Sequence, residues 1–195
     1  MRHGVIDTGG QRLAGHTPGL ALSAEGRGQV RRLAVRLQAT PVTVVCSSPV
    51  QRAIETATMI AAALRLTPQV DAMLDEVAFG TWEGQSFEAL SSEPGWRQFN
   101  QFRTTTLMPG GGSLLQVQAR AVSWMGTQAA TRPEATIVAV SHADVIRAAV
   151  AACAGISLDL ALRLEIAPAS ISEIRMNEHA LIIRRLNDTA HLEPA

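Results

Sequence analysis

Two junctions constrain this chain more than any other feature: at each, a short strand runs into a polar turn and then a helix. Val42-Thr43-Val44-Val45-Cys46 is β-branched and continuously apolar, which suits a strand covered on both faces of a parallel sheet. Ser47-Ser48-Pro49 follows at once, then a helical run from Val50 to Leu64 closed by Thr67-Pro68. Ala135 to Val140 repeats the pattern and ends in Ser141-His142-Ala143-Asp144, ahead of an alanine-rich helix over Val145 to Ala154. In an open α/β sheet, ligand groups gather at the carboxyl ends of the strands, so His142 stands at a ligand-binding position. Arg52 falls in the first turn of its helix, where a cation opposes the helix dipole; an anion between the two relieves that conflict. The competing reading is a guanidinium that points to water.

The remaining elements follow from periodicity and punctuation. Asp7-Thr8-Gly9-Gly10 through Gly15-His16-Thr17-Pro18-Gly19 is too rich in breakers for regular structure, so it is expected to be a long loop with His16 solvated. Ser23 is placed to cap a helix over Ala24 to Gln38, with Val30, Leu33, Ala34 and Leu37 inward and Arg27, Arg31, Arg32 and Arg36 on a solvated face. Met73 to Gly84 reads as an irregular connector carrying Asp75, Glu76 and Glu83. An acid held near its aromatic residues could keep a proton, and spacing does not choose among the three. Ser86 to Thr106 is partly helical, with Trp96, Phe99 and Phe102 expected to pack back on the body, and a helix follows Pro109-Gly110-Gly111-Gly112-Ser113 to about Ala130. Leu158 to Leu162 is a short helix. Ser170 to Met176 and Leu181 to Leu186 form a hairpin around Asn177-Glu178-His179, with His179 exposed on the turn. The fold class expected is α/β: a three-layer αβα arrangement with a mostly parallel central sheet and an antiparallel edge strand.

Composition narrows the chemistry. At 195 residues and 47% hydrophobic content, one core and one domain over residues 1–195 suffice. Seventeen basic residues balance seventeen acidic ones, so no broad positive field exists to gather nucleic acid or anionic lipid. Every basic residue is arginine; with no lysine, Schiff-base and P-loop chemistry are excluded. Cys46 and Cys153 lie in apolar runs and read as reduced core residues of a cytoplasmic protein. No apolar run reaches the roughly 18 residues of a membrane span.

Six segments, taken in order, carry a resemblance: Arg2-His3-Gly4; Leu22-Ser23-Ala24-Glu25-Gly26; Ser47-Ser48-Pro49-Val50-Gln51-Arg52-Ala53-Ile54-Glu55-Thr56-Ala57; Glu76-Val77-Ala78-Phe79-Gly80-Thr81-Trp82-Glu83-Gly84; Pro109-Gly110-Gly111; and Val140-Ser141-His142. Together they span nearly the whole chain, which resembles the histidine phosphatase superfamily in its phosphoglycerate mutase-like branch. The resemblance implies that His3 is a nucleophile forming a phosphohistidine and that Glu76 is the general acid and then base. It places Arg2, Arg52 and His142 around the phosphoryl oxygens. It implies no cofactor and no metal, and leaves Asp75 and Glu83 structural. The chain departs from the family pattern at Val5-Ile6, near Thr8-Gly9, where an asparagine is common, at Ala143 and at Gly112.

Two further expectations follow from the resemblance. Such chains enter Arg-His-Gly through an apolar central strand, so that strand is expected largely upstream of Met1; a mass spectrum of the cellular protein matching this start would refute this. The segment around 85–110 is a short cap-like insertion, small for a lid that must keep water from a bisphosphorylated intermediate. Phosphomonoester hydrolysis is therefore expected, on a small phosphorylated metabolite. A cofactor-dependent phosphoglycerate mutase and an inactive phosphate-binding homologue are the alternatives. Neither nucleic acid nor membrane is an expected partner, and homodimerisation is left open.

Overall fold

The computed structural model describes residues 1–7, 11–177 and 180–193. The two apolar runs form the centre of a three-stranded parallel sheet, β1 (Val44–Ser47) and β3 (Ile137–Val140), with β2 (Pro68–Val70) outside β1 in the order β2-β1-β3. Both long runs are shorter at their entry than their apolar length suggests. β2 goes unmarked in the sequence: three residues beginning with a proline, which only a strand start or an edge tolerates, leave no alternation to read.

Helices cover both faces. Val45, Val138 and Val140 pack with Val30, Leu33, Ala53, Ala57 and Ile60 from α1 (Ala24–Leu37) and α2 (Gln51–Leu64). Cys46 points to the opposite face, against Leu74 and Trp124 of α5 (Leu114–Thr131). The period-2 alternation of one strand thus feeds two layers. Val30, Leu33 and Ile60 are fully buried, each contributing about 1.5–3 kcal/mol of transfer free energy. Ser23 caps α1 by accepting from the Gly26 amide, and Ser113 closes a capping box with Gln116 at the start of α5. α6 (Ala143–Ala154) begins directly after His142 and ends at Gly155 in the left-handed conformation. No helix among the described residues is long and apolar enough to cross a membrane.

The hairpin forms a separate antiparallel pair, β4 (Ile171–Met176) and β5 (Leu181–Asp188), rather than extending the three-stranded ladder directly. The first three residues join the two sheets. The Ser141 amide donates to the Met1 carbonyl at 2.9 Å, and the His3 amide to the Ser141 carbonyl at 3.1 Å, in a parallel bridge. On the other side, the Arg2 amide reaches the Ser170 carbonyl and the His3 carbonyl accepts from Ala169. Thr8-Gly9, where the family's asparagine has no match, and His179 on the hairpin turn lie outside the described residues.

Residues 85–110 contain α3 (Phe87–Ser92) and α4 (Pro94–Gln101), seated on an aromatic cluster. Trp82 meets Trp96 edge-on at 5.4 Å and Phe79 meets Phe99 edge-on at 6.3 Å, the geometry the ring quadrupoles favour. Phe102 departs from expectation: it is 54% exposed, because α4 stops before it and turns it outward. Arg103, the next residue, goes in instead. It is buried, lies over the Phe99 ring at 4.7 Å and donates to Asp144 in the first turn of α6 at 3.0 Å. Cys153 is also less buried than its apolar run suggests, while Cys46 is in the core; both are free thiols.

Candidate active site

The end of the N-terminal segment, the start of α2, the connector after the 3-10 turn Ala72–Leu74 and the end of β3 converge on one buried cluster. His3 is held by its own backbone and by α1. Its Nδ1 lies 2.8 Å from the Gly4 carbonyl, an acceptor, so the ring carries its proton there and Nε2 keeps a lone pair. The Gly4 amide donates to Thr56 Oγ1 and the Val5 amide to the buried Gln29 side chain. Gly26 admits this approach: a Cβ there would lie 2.0 Å from the Val5 carbonyl oxygen, so the helix-opening motif ends in glycine for want of room.

Arg52 is 1% exposed and sits at the centre. Its Nε donates to His3 Nε2 at 3.0 Å. Around its Nη2 lie the Gly15 carbonyl at 2.9 Å, Glu76 Oε2 at 3.1 Å and His142 Nδ1 at 3.1 Å. Its Nη1 is buried without a hydrogen-bond partner, as is Arg2 Nε. Such donors cost free energy in the unliganded protein and suit an anion that accepts from them. Arg52 therefore does not point to water.

His142 is fully buried, with Nε2 2.8 Å from Ser48 Oγ and Nδ1 3.3 Å from Glu76 Oε2; its ring lies 5.2 Å from that of His3. Arg2 donates from Nη1 to the Ile166 carbonyl at 2.6 Å, which fixes its direction from the C-terminal side of the site. The structure thus gathers His3, Glu76 and His142 around Arg52, which touches each of them. Arg2 reaches them through charge: its proton affinity is lowered by burial first and then by the cations Arg147 and Arg52.

The electrostatics divide the titratable groups. Burial, reinforced by the Arg52 cation, pushes His3 down to about 3, so the ring is neutral at neutral pH. His142 is pushed well below its ordinary value by burial, then by His3 and Arg52. Glu76 moves the other way: burial raises its carboxyl to about 7 against the opposing pull of Arg52. Its neighbours are Arg52 and His142, while Phe79 and Trp82 turn into the aromatic cluster under α3 and α4. A neutral imidazole with a free lone pair, a carboxyl that exchanges its proton near neutrality and unsatisfied guanidinium N–H groups can together transfer a phosphoryl group.

Ser48 carries no signal of its own in the sequence beyond the Ser47-Ser48-Pro49 turn. His16 departs from the solvated position expected of it. The ring instead bridges Asp75 and Glu83, with Nε2 3.1 Å from Asp75 Oδ2 and Nδ1 3.2 Å from Glu83 Oε1. No local pattern announces partners so far along the chain.

Known proteins resemble this chain in sequence and in fold. A bifunctional protein of Mycobacterium tuberculosis is 33% identical over 196 residues, covering 98% of this chain and 54% of the relative. The chain thus spans about half the length of that curated relative. Phosphoserine phosphatase 1 of Hydrogenobacter thermophilus is 30% identical over 173 residues, 88% of this chain and 82% of that protein. In fold, the chain superimposes on a phosphoserine phosphatase of Entamoeba histolytica with a TM-score of 0.89 and 22% identity, covering 98% of this chain and 96% of the other. The sequence matches the histidine phosphatase superfamily (branch 1) over residues 1–189, and this chain belongs to that family.

Proposed function

We propose that this histidine phosphatase hydrolyses phosphomonoesters of small metabolites through a phosphoryl group carried on His3. The observation that carries the reading is the pairing of a neutral His3, its Nε2 lone pair facing Arg52, with the partnerless buried Nη1 of the same guanidinium. A phosphoryl group entering here takes hydrogen bonds from Arg52 and Arg2, freeing Nε2 to attack. The N–P bond forms as the ester P–O bond breaks, and the Glu76 proton passes to the leaving oxygen. Glu76, now a carboxylate, takes a proton from water; the resulting hydroxide attacks phosphorus, the N–P bond breaks, and inorganic phosphate leaves. The positive charge of Arg52 and Arg2 and hydrogen bonding from His142 offset the negative charge of the transferring group, so the scheme calls on no metal. Residues 85–110 serve as a small cap. The relation to a phosphoserine phosphatase at 30% identity supports a small phosphorylated metabolite as substrate, and the free thiols Cys46 and Cys153 suit a cytoplasmic enzyme.

The test is phosphate release from p-nitrophenyl phosphate, phosphoserine and 3-phosphoglycerate by the purified protein and by His3→Ala. Hydrolysis that the substitution abolishes supports the reading. Phosphoryl exchange on 3-phosphoglycerate without net hydrolysis would make the protein a mutase, and inactivity on every ester, with phosphate still bound, a binding protein.

A further inference from the structure

The groups that position Arg52 include one outside the phosphoryl-handling set. The Gly15 carbonyl accepts from Arg52 Nη2 at 2.9 Å, and Gly15 belongs to an irregular loop with no helix or strand to hold it. The Leu13 backbone pairs with Gln85 and Gly84 just before it, and the residue after it completes the hold. The His16 amide donates to Glu83 Oε2 at 3.0 Å, its Nδ1 meets Glu83 Oε1 at 3.2 Å, and its Nε2 meets Asp75 Oδ2 at 3.1 Å. Glu83 is itself fixed by the Phe79 amide at 3.0 Å, and Arg120 of α5 fixes the Asp75 carbonyl at 2.7 Å. The approach is tight: Gly15 has φ +47°, and a Cβ there would lie 2.6 Å from the Glu83 side chain.

Both ring nitrogens of His16 face carboxylate oxygens, which only accept. Filling both contacts requires both nitrogens to donate, which only the protonated imidazolium does. The charged groups around it favour that state. Asp75 and Glu83 touch it, and the Glu76 carboxyl lies within its electrostatic reach. On the other side, His142 feels its charge, Arg52 lies beyond the Gly15 carbonyl, and Arg12 sits on the Gly84 carbonyl. Partial burial pulls the ring's proton affinity down, but the Glu83 hydrogen bond and the Asp75 charge outweigh it and leave it raised.

We propose that His16 is a positioning residue: its ring, bridged between Asp75 and Glu83, clamps the Gly15 carbonyl onto Arg52 and so holds that guanidinium in register with His3, Glu76 and His142. The inference rests on the phosphatase reading for its consequence in catalysis, although the clamp itself is a matter of geometry. Deprotonation leaves one nitrogen without a proton to donate, and the clamp loosens. Arg52 Nη2 then keeps Glu76 and His142 but loses its tie to the loop.

The experiment compares wild type with His16→Asn, which cannot span both carboxylates, and His16→Arg, which can donate to both and does not titrate. Circular dichroism and thermal unfolding establish that each variant is folded. On p-nitrophenyl phosphate, whose good leaving group needs little acid assistance, His16→Asn is expected to lower kcat/KM by about tenfold at mildly acidic pH, the order of loss that follows a small displacement of an aligned group. His16→Arg recovers much of that loss. The ratio of wild-type to His16→Arg rates falls as pH rises through the range in which His16 loses its proton, a comparison from which substrate ionisation cancels. Titration calorimetry with inorganic phosphate supplies a readout independent of turnover, in which His16→Asn weakens binding about fivefold or more. A folded His16→Asn protein with wild-type phosphate affinity and a wild-type pH profile overturns the clamp. If the wild-type protein hydrolyses no ester, the phosphatase reading fails, and the two phosphate affinities still decide whether His16 positions Arg52.

Discussion

Replacing Glu76 by glutamine keeps the shape of the side chain and removes its exchangeable proton. The carboxyl is raised from its ordinary 4.5 to about 7 because burial penalises the anion, only partly offset by Arg52 3.1 Å away. At 1.36 kcal/mol per pH unit the difference corresponds to about 3 kcal/mol between the two protonation states. Two consequences follow. The first is kinetic: near pH 7 about half of the molecules hold the proton that the proposed scheme passes to the leaving group, so kcat/KM on an alkyl ester such as phosphoserine is expected to fall as pH rises through about 7. Glu76→Gln lowers that rate by about 10²–10⁴ and removes this pH limb, while the loss on p-nitrophenyl phosphate is far smaller. The second is thermodynamic. The folded protein binds this proton more tightly than the unfolded chain, so stability is greatest below about 4.5, declines as pH rises and has lost the full amount above about 7. Glu76→Gln flattens this decline in denaturant titrations run across pH. Phosphate-release rates on the two esters decide the matter: equal losses on phosphoserine and p-nitrophenyl phosphate would refute the role of Glu76 as acid.

Two other substitutions probe how the site is built. Ser48→Ala removes the oxygen beside His142 Nε2 and leaves a fully buried ring nitrogen unpaired, at a cost of about 1–3 kcal/mol; thermal unfolding should show the loss, and an unchanged Tm would contradict the bond. Gly26→Ala drives a methyl group to 2.0 Å from the Val5 carbonyl oxygen, and the resulting displacement of Gly4 and Val5 should lower Tm by several degrees and reduce activity together. A variant as stable and as active as wild type would show that α1 does not constrain the His3 segment.

The parts of this structure that were legible in the sequence are those encoded locally. Val44–Ser47 and Ile137–Val140 announce themselves because β-branched runs buried on both faces admit few other conformations, and their polar ends show where side chains reach a ligand. The helices follow from spacing and, for α1, from the capping serine at 23, whereas the Ser113 cap shows itself only in the fold. What was hidden depends on contacts distant in sequence. β2 exists because β1 offers it an edge. His16 looks like an idle loop histidine until the fold delivers Asp75 and Glu83 to its two nitrogens. Phe102 and Arg103 exchange the exposures their hydrophobicity suggests, since Asp144 and the Phe99 ring supply an inward partner for the guanidinium while the end of α4 turns Phe102 outward. Spacing alone does not choose an acid among Asp75, Glu76 and Glu83. In the fold, Glu76 contacts Arg52 and His142, whereas Asp75 and Glu83 hold His16.

The account turns on His3 as the atom that receives the phosphoryl group, and trapping the phosphoenzyme tests this most directly. The purified protein is mixed with a ³²P-labelled phosphomonoester, quenched in alkali to preserve phosphoramidate bonds, digested and mapped by mass spectrometry. The account predicts label on His3, at the Nε2 atom that faces Arg52, and none after His3→Ala. Label on His142 or any other residue, or steady hydrolysis with no phosphoenzyme formed, would contradict it.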